Sequence, residues 1–327
     1  MTYLALLAST ILSCGLTATA KTWRLKKDQQ WESMAASPDQ RYAQAVARLR
    51  RLVQSGDAEA AEEALTQLKE QFPERVGPDL DAFVEGELLY WTDKYAKALV
   101  KYEKFLKDYP GSEFADLVLE REWVIGQAYL DGRKKTVLGF IRMSGHAEGV
   151  EIMERISDRA GLDEPNSVGL RAAISVAEHY ERREKYLEAY LKWSEIASYW
   201  DSGPVGRRAI LRMAEDNRLA YDQEREGRRH LYDSSKLTTA KTYYEKLQLR
   251  FPADAEQHDA SGKIKLVDEK MAHKELMIGQ YYQRTGKRQA ANLYFDMVMQ
   301  NWPGTEAAEL AKQAIERNMD EAVGGAK

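Results

Sequence analysis

The sequence predicts an all-α chain built from stacked pairs of helices, and three observations carry that reading. Apolar residues recur at steps of three and four, as in Tyr95, Ala98, Tyr102 and Phe105, which makes one stripe of a 3.6-residue helix. Pro73, Pro110, Pro165, Pro204, Pro252 and Pro303 punctuate the chain at long intervals, as stops between helix pairs. The balance of 31% charged and 44% apolar residues, with only 8 Pro, suits amphipathic helices better than a sheet or a disordered chain.

The clearest stretch runs from Asp79 to Gly111. Gly86 in its first helix and Ala98 in its second let two cylinders approach, Leu89 and Tyr102 fill the space beside them, and Pro110 ends the unit. This resembles the tetratricopeptide repeat, whose 34-residue consensus places small, large, Ala, aromatic and Pro residues at these offsets. The likeness implies a right-handed superhelical solenoid of about six helix pairs with a C-terminal capping helix. Each pair has too little core alone and is stabilised by its neighbours.

In chain order, Leu4 to Leu12 is an apolar run of the length of a signal-peptide core, too short to span a bilayer. It ends in Ile11-Leu12-Ser13-Cys14, which resembles the bacterial lipobox and marks Cys14, the single cysteine, for lipidation. Residues 1–20 are then a lipoprotein signal peptide. An ordinary cut after Ala18-Thr19-Ala20, and an uncleaved segment, are the other readings. Met1-Thr2-Tyr3 carries no Lys or Arg, whereas such segments normally open with positive charge.

Residues 21–40 form a polar tether with Trp23 and Trp31 as its large apolar groups, ordered near Trp31. Residues 41–166 hold the N-terminal repeats. The first has Leu49, Leu52, Ala61 and Leu65 at repeat positions, with Ser55-Gly56-Asp57 as its turn. The third has Gly126 and Tyr129 in its first helix, but an insert near 132–147 delays its partner helix to about residues 148–160. Residues 167–320 hold the C-terminal repeats and cap. Ala177, Tyr180, Ala189 and Trp193 mark the fourth, closing near Pro204, and a fifth first helix runs from Arg207 to about Gln223. Ala240, Tyr244 and Leu247 follow a charged loop, and Gly279, Tyr282, Ala291 and Phe295 mark the sixth. Glu306 to about Met319 is the closing helix, and residues 321–327 a disordered tail.

Catalytic patterns are missing from the sequence: it has no G-x-S-x-G, no phosphate-binding glycine loop and no H-E-x-x-H. Five scattered histidines and one cysteine supply no cysteine-based metal cluster, so no metal, no cofactor and no catalytic residue are expected. A net charge of −4 offers no basic excess for a nucleic-acid backbone. The basic clusters at Arg48, Arg50 and Arg51 and at Arg225, Arg228 and Arg229 read as solvated surface, or as contacts to a partner or anionic lipid.

Helical solenoids offer a groove lined by first helices. Likeness to the repeat family puts Phe83, Glu87, Tyr90 and Trp91 in it, then Gln127, Glu178, Glu181 and Arg182, then Gln280, Gln283 and Arg284. Tyr90 and Trp91 either pack on neighbouring repeats or form an aromatic platform for a peptide side chain.

The signal, the tether and residues 166–307 together resemble the BamD family of outer-membrane β-barrel assembly lipoproteins. The specific part is Lys263 to Ala307, a long helix running into Gly279-Gln280-Tyr281-Tyr282 and Gly286, then a second helix, Trp302-Pro303 and a small-acidic restart. The resemblance implies a lipid-anchored, non-catalytic scaffold on the outer membrane, facing the periplasm. Its N-terminal repeats would engage unfolded outer-membrane proteins, and its C-terminal repeats the periplasmic domains of the barrel subunit. About six repeats where that family has five, and the insert after Gly132, depart from its pattern. A repeat scaffold for cell-wall synthesis, division or another secretion complex is the alternative; an enzyme built on the 132–147 insert is a third.

Overall fold

The computed structural model describes residues 23–25, 31–33, 37–137, 141–223 and 233–324. The signal segment with Cys14, the arginines 225, 228 and 229 and residues 325–327 lie outside them. The fold is an all-α tetratricopeptide-type solenoid. By internal contacts the chain divides into two compact units, residues 1–118 and 119–327.

The first unit begins with two short strands, β1 (Trp23–Leu25) and β2 (Trp31–Ser33), paired antiparallel with Trp31 opposite Leu25. Helix α1 (Pro38–Ser55) starts inside the expected tether, because Ser37 and Gln40 cap each other's backbone amides and Pro38 presets the first turn. Then come α2 (Ala58–Gln71), a 3-10 turn at Pro73–Arg75, α3 (Pro78–Trp91) and α4 (Tyr95–Asp108). Helix α5 (Ala115–Leu130) crosses the boundary between the units.

The second unit continues with β3 (Lys134–Val137), β4 (Ile141–Ser144) and α6 (His146–Ala160). Pairs α7 (Val168–Arg182) with α8 (Tyr186–Tyr199), and α9 (Gly203–Asp222) with α10 (Ser235–Arg250), come next. A short α11 (Pro252–Gln257) leads into α12 (Ala260–Arg284), whose 25 residues span about 37 Å, and α13 (Arg288–Asn301) pairs with it. Helix α14 (Glu306–Gly324) closes the unit and carries helical backbone past residue 321, where a frayed tail was expected.

Two local rules repeat. Five first helices end on a left-handed residue, Gly56, Asp93, Gly132, Glu184 and Gly286, with φ between +57° and +107°, whereas α9 ends on Gln223 in right-handed backbone. Four second helices end on an aromatic residue that has left helical backbone, Phe72, Tyr109, Phe251 and Trp302, with φ between −133° and −139° and each followed by Pro. A following Pro disfavours helical backbone in the residue before it, so the helix stops there. Three prolines also open the next element, which corrects their reading as stops alone. Pro204 sits in the first turn of α9, so α9 starts four residues before the expected Arg207. Pro73 and Pro252 likewise begin the 3-10 turn and α11.

The cores form where the small-residue and large-residue positions meet. A Cβ on Gly86 would lie 2.6 Å from the Tyr102 ring, and one on Gly279 2.6 Å from the Phe295 ring. Gly126 faces Ile152 and Met153 of α6 at 3.0 and 3.2 Å. Ala98, Ala177, Ala189, Ala240 and Ala291 are fully buried, and Trp193, Tyr244 and Phe295 fill the space between helices. Tyr129 is buried, whereas Tyr180 and Tyr282 keep one side open. Each buried large side chain contributes roughly 1.5–3 kcal/mol relative to exposure.

Candidate partner-binding faces

In the first unit, α3 and α4 meet around Gly86 and Tyr102, and the buried phenol needs an acceptor. Glu87 supplies it: the Tyr102 hydroxyl donates to one carboxylate oxygen at 2.6 Å and Trp91 Nε1 to the other at 3.2 Å. At 5% exposure Glu87 is a strut inside the repeat, a correction to its expected place on the groove. Phe83 also turns inward, stacking on Phe114 at 4.7 Å and leaning on Phe105. Tyr90 stacks on Tyr95 of its own repeat at 5.5 Å and meets the Trp91 ring edge-on. Of these four, Trp91 alone is largely open, 39% exposed and tethered through Glu87.

In the second unit, the first helices α5, α7, α9 and α12 are tied in series by ion pairs. Glu120 holds Arg171, and Asp131 lies 3.8 Å from Arg182. Glu178 holds Arg208, and Glu181 lies 3.6 Å from Arg212. Glu215 holds Lys263 and Asp222 holds Lys270. The acid always belongs to the earlier helix. Both rungs between α5 and α7 join residues 51 apart, and both between α9 and α12 join residues 48 apart, so successive first helices run parallel in fixed register. The series ends on Glu269 of α12, whose carboxylate accepts the Glu306 and Ala307 amides at 2.8 and 3.1 Å. That carboxylate caps the N-terminus of α14, where the helix dipole favours a negative charge.

Burial grades along the series. The side chains between α5 and α7 are 33–58% exposed, and those between α9 and α12 only 15–29%. Exposed pairs contribute little, while breaking a sheltered one leaves a charge without its counterion. Burial pushes the Glu215 carboxyl up, but hydrogen bonds from Lys263 and Arg218 outweigh it and hold the group below the ordinary carboxylate range. Its neighbour Asp216, 1% exposed and with Oδ2 unpaired, goes the other way. Burial first, then Glu181 nearby, push it up to about 8.

Several groove candidates belong to this charge series. Gln127 donates to Asp131 at 2.9 Å beside Arg182, so these two come together at the ends of α5 and α7. Glu178 is engaged by Arg208, and Glu181 also accepts Trp193 Nε1 at 2.6 Å. Gln280 is half-buried, and Gln283 donates to Asn318 of α14 at 2.8 Å. Arg284 stands exposed at the end of α12 next to Tyr281, which is 54% exposed. The cationic partners Arg171, Arg208, Arg212, Lys263 and Lys270 were missed by sequence reasoning. Their signal was the equal or nearly equal spacing between acid and base in both rungs of a pair, hidden by loops of unequal length.

Among the described residues no group of three or more His, Cys, Asp or Glu is placed to hold a metal ion. No described helix is long and apolar enough to cross a membrane. At the insert, where an enzymatic pocket was the third expectation, β3 and β4 form an antiparallel hairpin.

Residues 219–323 match the model of the YfiO family, described as an outer membrane lipoprotein, and residues 85–112 match a tetratricopeptide repeat model. No curated protein matches the chain. The first match spans the end of α9 through α14, and the second spans the latter half of α3 and all of α4. Over residues 219–323 the chain is therefore similar to that outer membrane lipoprotein family, and over residues 85–112 to a tetratricopeptide repeat.

Proposed function

We propose that this protein is a lipid-anchored, periplasm-facing, non-catalytic scaffold of outer-membrane β-barrel assembly. The observation that carries the reading is the match of residues 219–323 to an outer membrane lipoprotein family, over the long α12 and its cap. In this reading Cys14 bears the lipid, and the exposed end of α12, with Tyr281 and Arg284, faces the periplasmic domains of a barrel subunit. Gln127, Glu178, Glu181, Arg182, Gln280 and Gln283 lie on the first-helix layer that leads there. The Trp91 end of α3 receives segments of unfolded outer-membrane proteins, an indole and phenol surface suited to their alternating apolar side chains.

The paired charges support a scaffold role. First helices whose acids and bases are already matched hold their register when a partner arrives, and present little net charge to attract unrelated ligands. Solubilised membranes carrying the tagged full chain, or the chain lacking 263–320, test the reading. The full chain co-purifies a barrel protein with periplasmic domains, and the truncated chain loses it. A partner set without such a protein, or dominated by wall-synthesis or division enzymes, would replace this reading with the envelope-scaffold alternative.

A further inference from the structure

The insert between α5 and α6 returns to the body at a crowded junction. A Cβ on Gly145 would lie 2.3 Å from the Arg133 carbonyl and 2.4 Å from the Tyr129 ring, so β4 enters α6 with no free space. The next residue, His146, opens α6 and meets His179 of α7, with ring centroids 5.1 Å apart and planes tilted by 40°. His179 is 3% exposed and hydrogen-bonds to the Leu130 backbone at the end of α5, while Nδ1 of His146 is buried without a partner. Two imidazoles thus join α5, α6 and α7 at one point, just beyond the end of β4.

We propose that the His146–His179 pair is an acid-sensing latch that holds the first turn of α6, and the end of β4 leading into it, on α7 at neutral pH and releases them in acid. Two features oppose a proton there. The ring of His179 is buried, and His146 from α6 with Arg182 and Arg183 from the end of its own helix disfavour the charge, against which the hydrogen bond to the Leu130 backbone favours it. The nearby acids are already engaged, Asp131 by Gln127 and Arg182, and Glu148 by Lys135. Arg133 and Lys135 add further positive charge around Tyr129. Tyr180 faces Glu154, Lys192 and Glu188, and Lys192 pairs with Glu154. The C-terminal dipole of α7 favours a cation at His179, but it acts on Arg182 as well and does not offset burial.

Burial first, and then His146, lower the docked His179 to about 4 from its ordinary 6.5. A released ring regains the ordinary value. Between these limits the open form binds a proton that the docked form does not, so docking is complete above about pH 6.5 and weakens as pH falls towards 4. One such group raises the opening constant by about twentyfold between pH 7 and pH 5.

Hydrogen exchange of the full chain tests this. Corrected for intrinsic rates, amides of residues 141–150 should exchange about twentyfold faster at pH 5 than at pH 7, while α13 stays unchanged. His179→Gln should flatten that response, and His146→Gln should reduce it. A segment indifferent to pH in the wild-type chain, or an undiminished response in a folded His179→Gln variant, would overturn the latch. Should His179→Gln not fold, the imidazole C2 proton of His179 in the wild-type chain decides. A midpoint well below 6.5 shared with the amides of residues 141–150 supports the latch, and one at or above 6.5 refutes it.

Discussion

The two units use the same helix pair but join successive first helices by different chemistry. In the first unit α1 and α3 meet through Leu49, Val53, Leu80, Phe83 and Val84, an apolar seam edged by aromatic contacts such as Tyr42 on Phe72. In the second unit α5, α7, α9 and α12 carry rungs of charge above their apolar floors. An apolar seam tolerates sliding, because dispersion and burial have no direction. Ion pairs at fixed offsets do not, since a shift of one turn separates every acid from its base. The second unit is thus the one built to keep a fixed register, which suits the part we assign to holding a folded partner.

The largest effects should come from cutting the core of one unit at a time. Tyr102→Ala removes the ring packed on Gly86 and one of the two donors to Glu87, and should cost about 3–5 kcal/mol in the first unit. Phe295→Ala should cost a similar amount in the second unit. Denaturant unfolding followed by exchange in each unit should show one transition moving per variant. A common shift of both would show a single cooperative block and erase the distinction.

Next in size is Glu215→Gln, which leaves Lys263 without its carboxylate and Arg218 with Asp222 alone, and should cost about 1–3 kcal/mol. Because Glu215 is held below its ordinary value, its stabilisation is present above that value and is lost as pH falls beneath it. The variant should therefore lose part of the acid dependence of the second unit. Raising salt should weaken that unit more than the first, most at its exposed rungs.

Asp216→Asn should act in the opposite direction. The native carboxyl is raised to about 8, so between its unfolded value of 3.8 and that point the folded state binds the extra proton. Its contribution to stability then falls as pH rises through this window. The amide removes that slope, and thermal melts at pH 8 should show a gain of about 2–4 °C for each kcal/mol recovered.

The smallest effect falls on both units alike. Asp93 and Glu184 close their first helices at φ of +60° and +57° without being glycine. Asp93→Gly and Glu184→Gly should each stabilise by roughly 0.5–1 kcal/mol. Equal gains would show that the turn rule ignores the difference between the units; unequal gains would tie the turns to it.

What the sequence made legible was whatever repeats at short range. Gly86 with Tyr102, Ala177 with Trp193 and Gly279 with Phe295 all stand sixteen positions apart, and a single helix pair fixes that distance. The groove was less legible. Glu87 was placed there by its repeat position, although a buried tyrosine fifteen residues on needs an acceptor and could have claimed it. The charge rungs span 30 to 51 residues through loops of unequal length, so no window along the chain contains both partners. The histidine pair stayed hidden for the same reason, since the insert separates His146 from the helix it follows in an ordinary repeat.

The most direct test of the proposed scaffold is photocrosslinking in living cells, with the reactive group placed at Trp91 in one strain and at Arg284 in another. The account predicts that position 284 crosslinks to one abundant partner, a barrel protein with periplasmic domains, while position 91 gives a ladder of newly made outer-membrane proteins. The same adducts from both positions, or none from position 284 to any barrel protein, would contradict it.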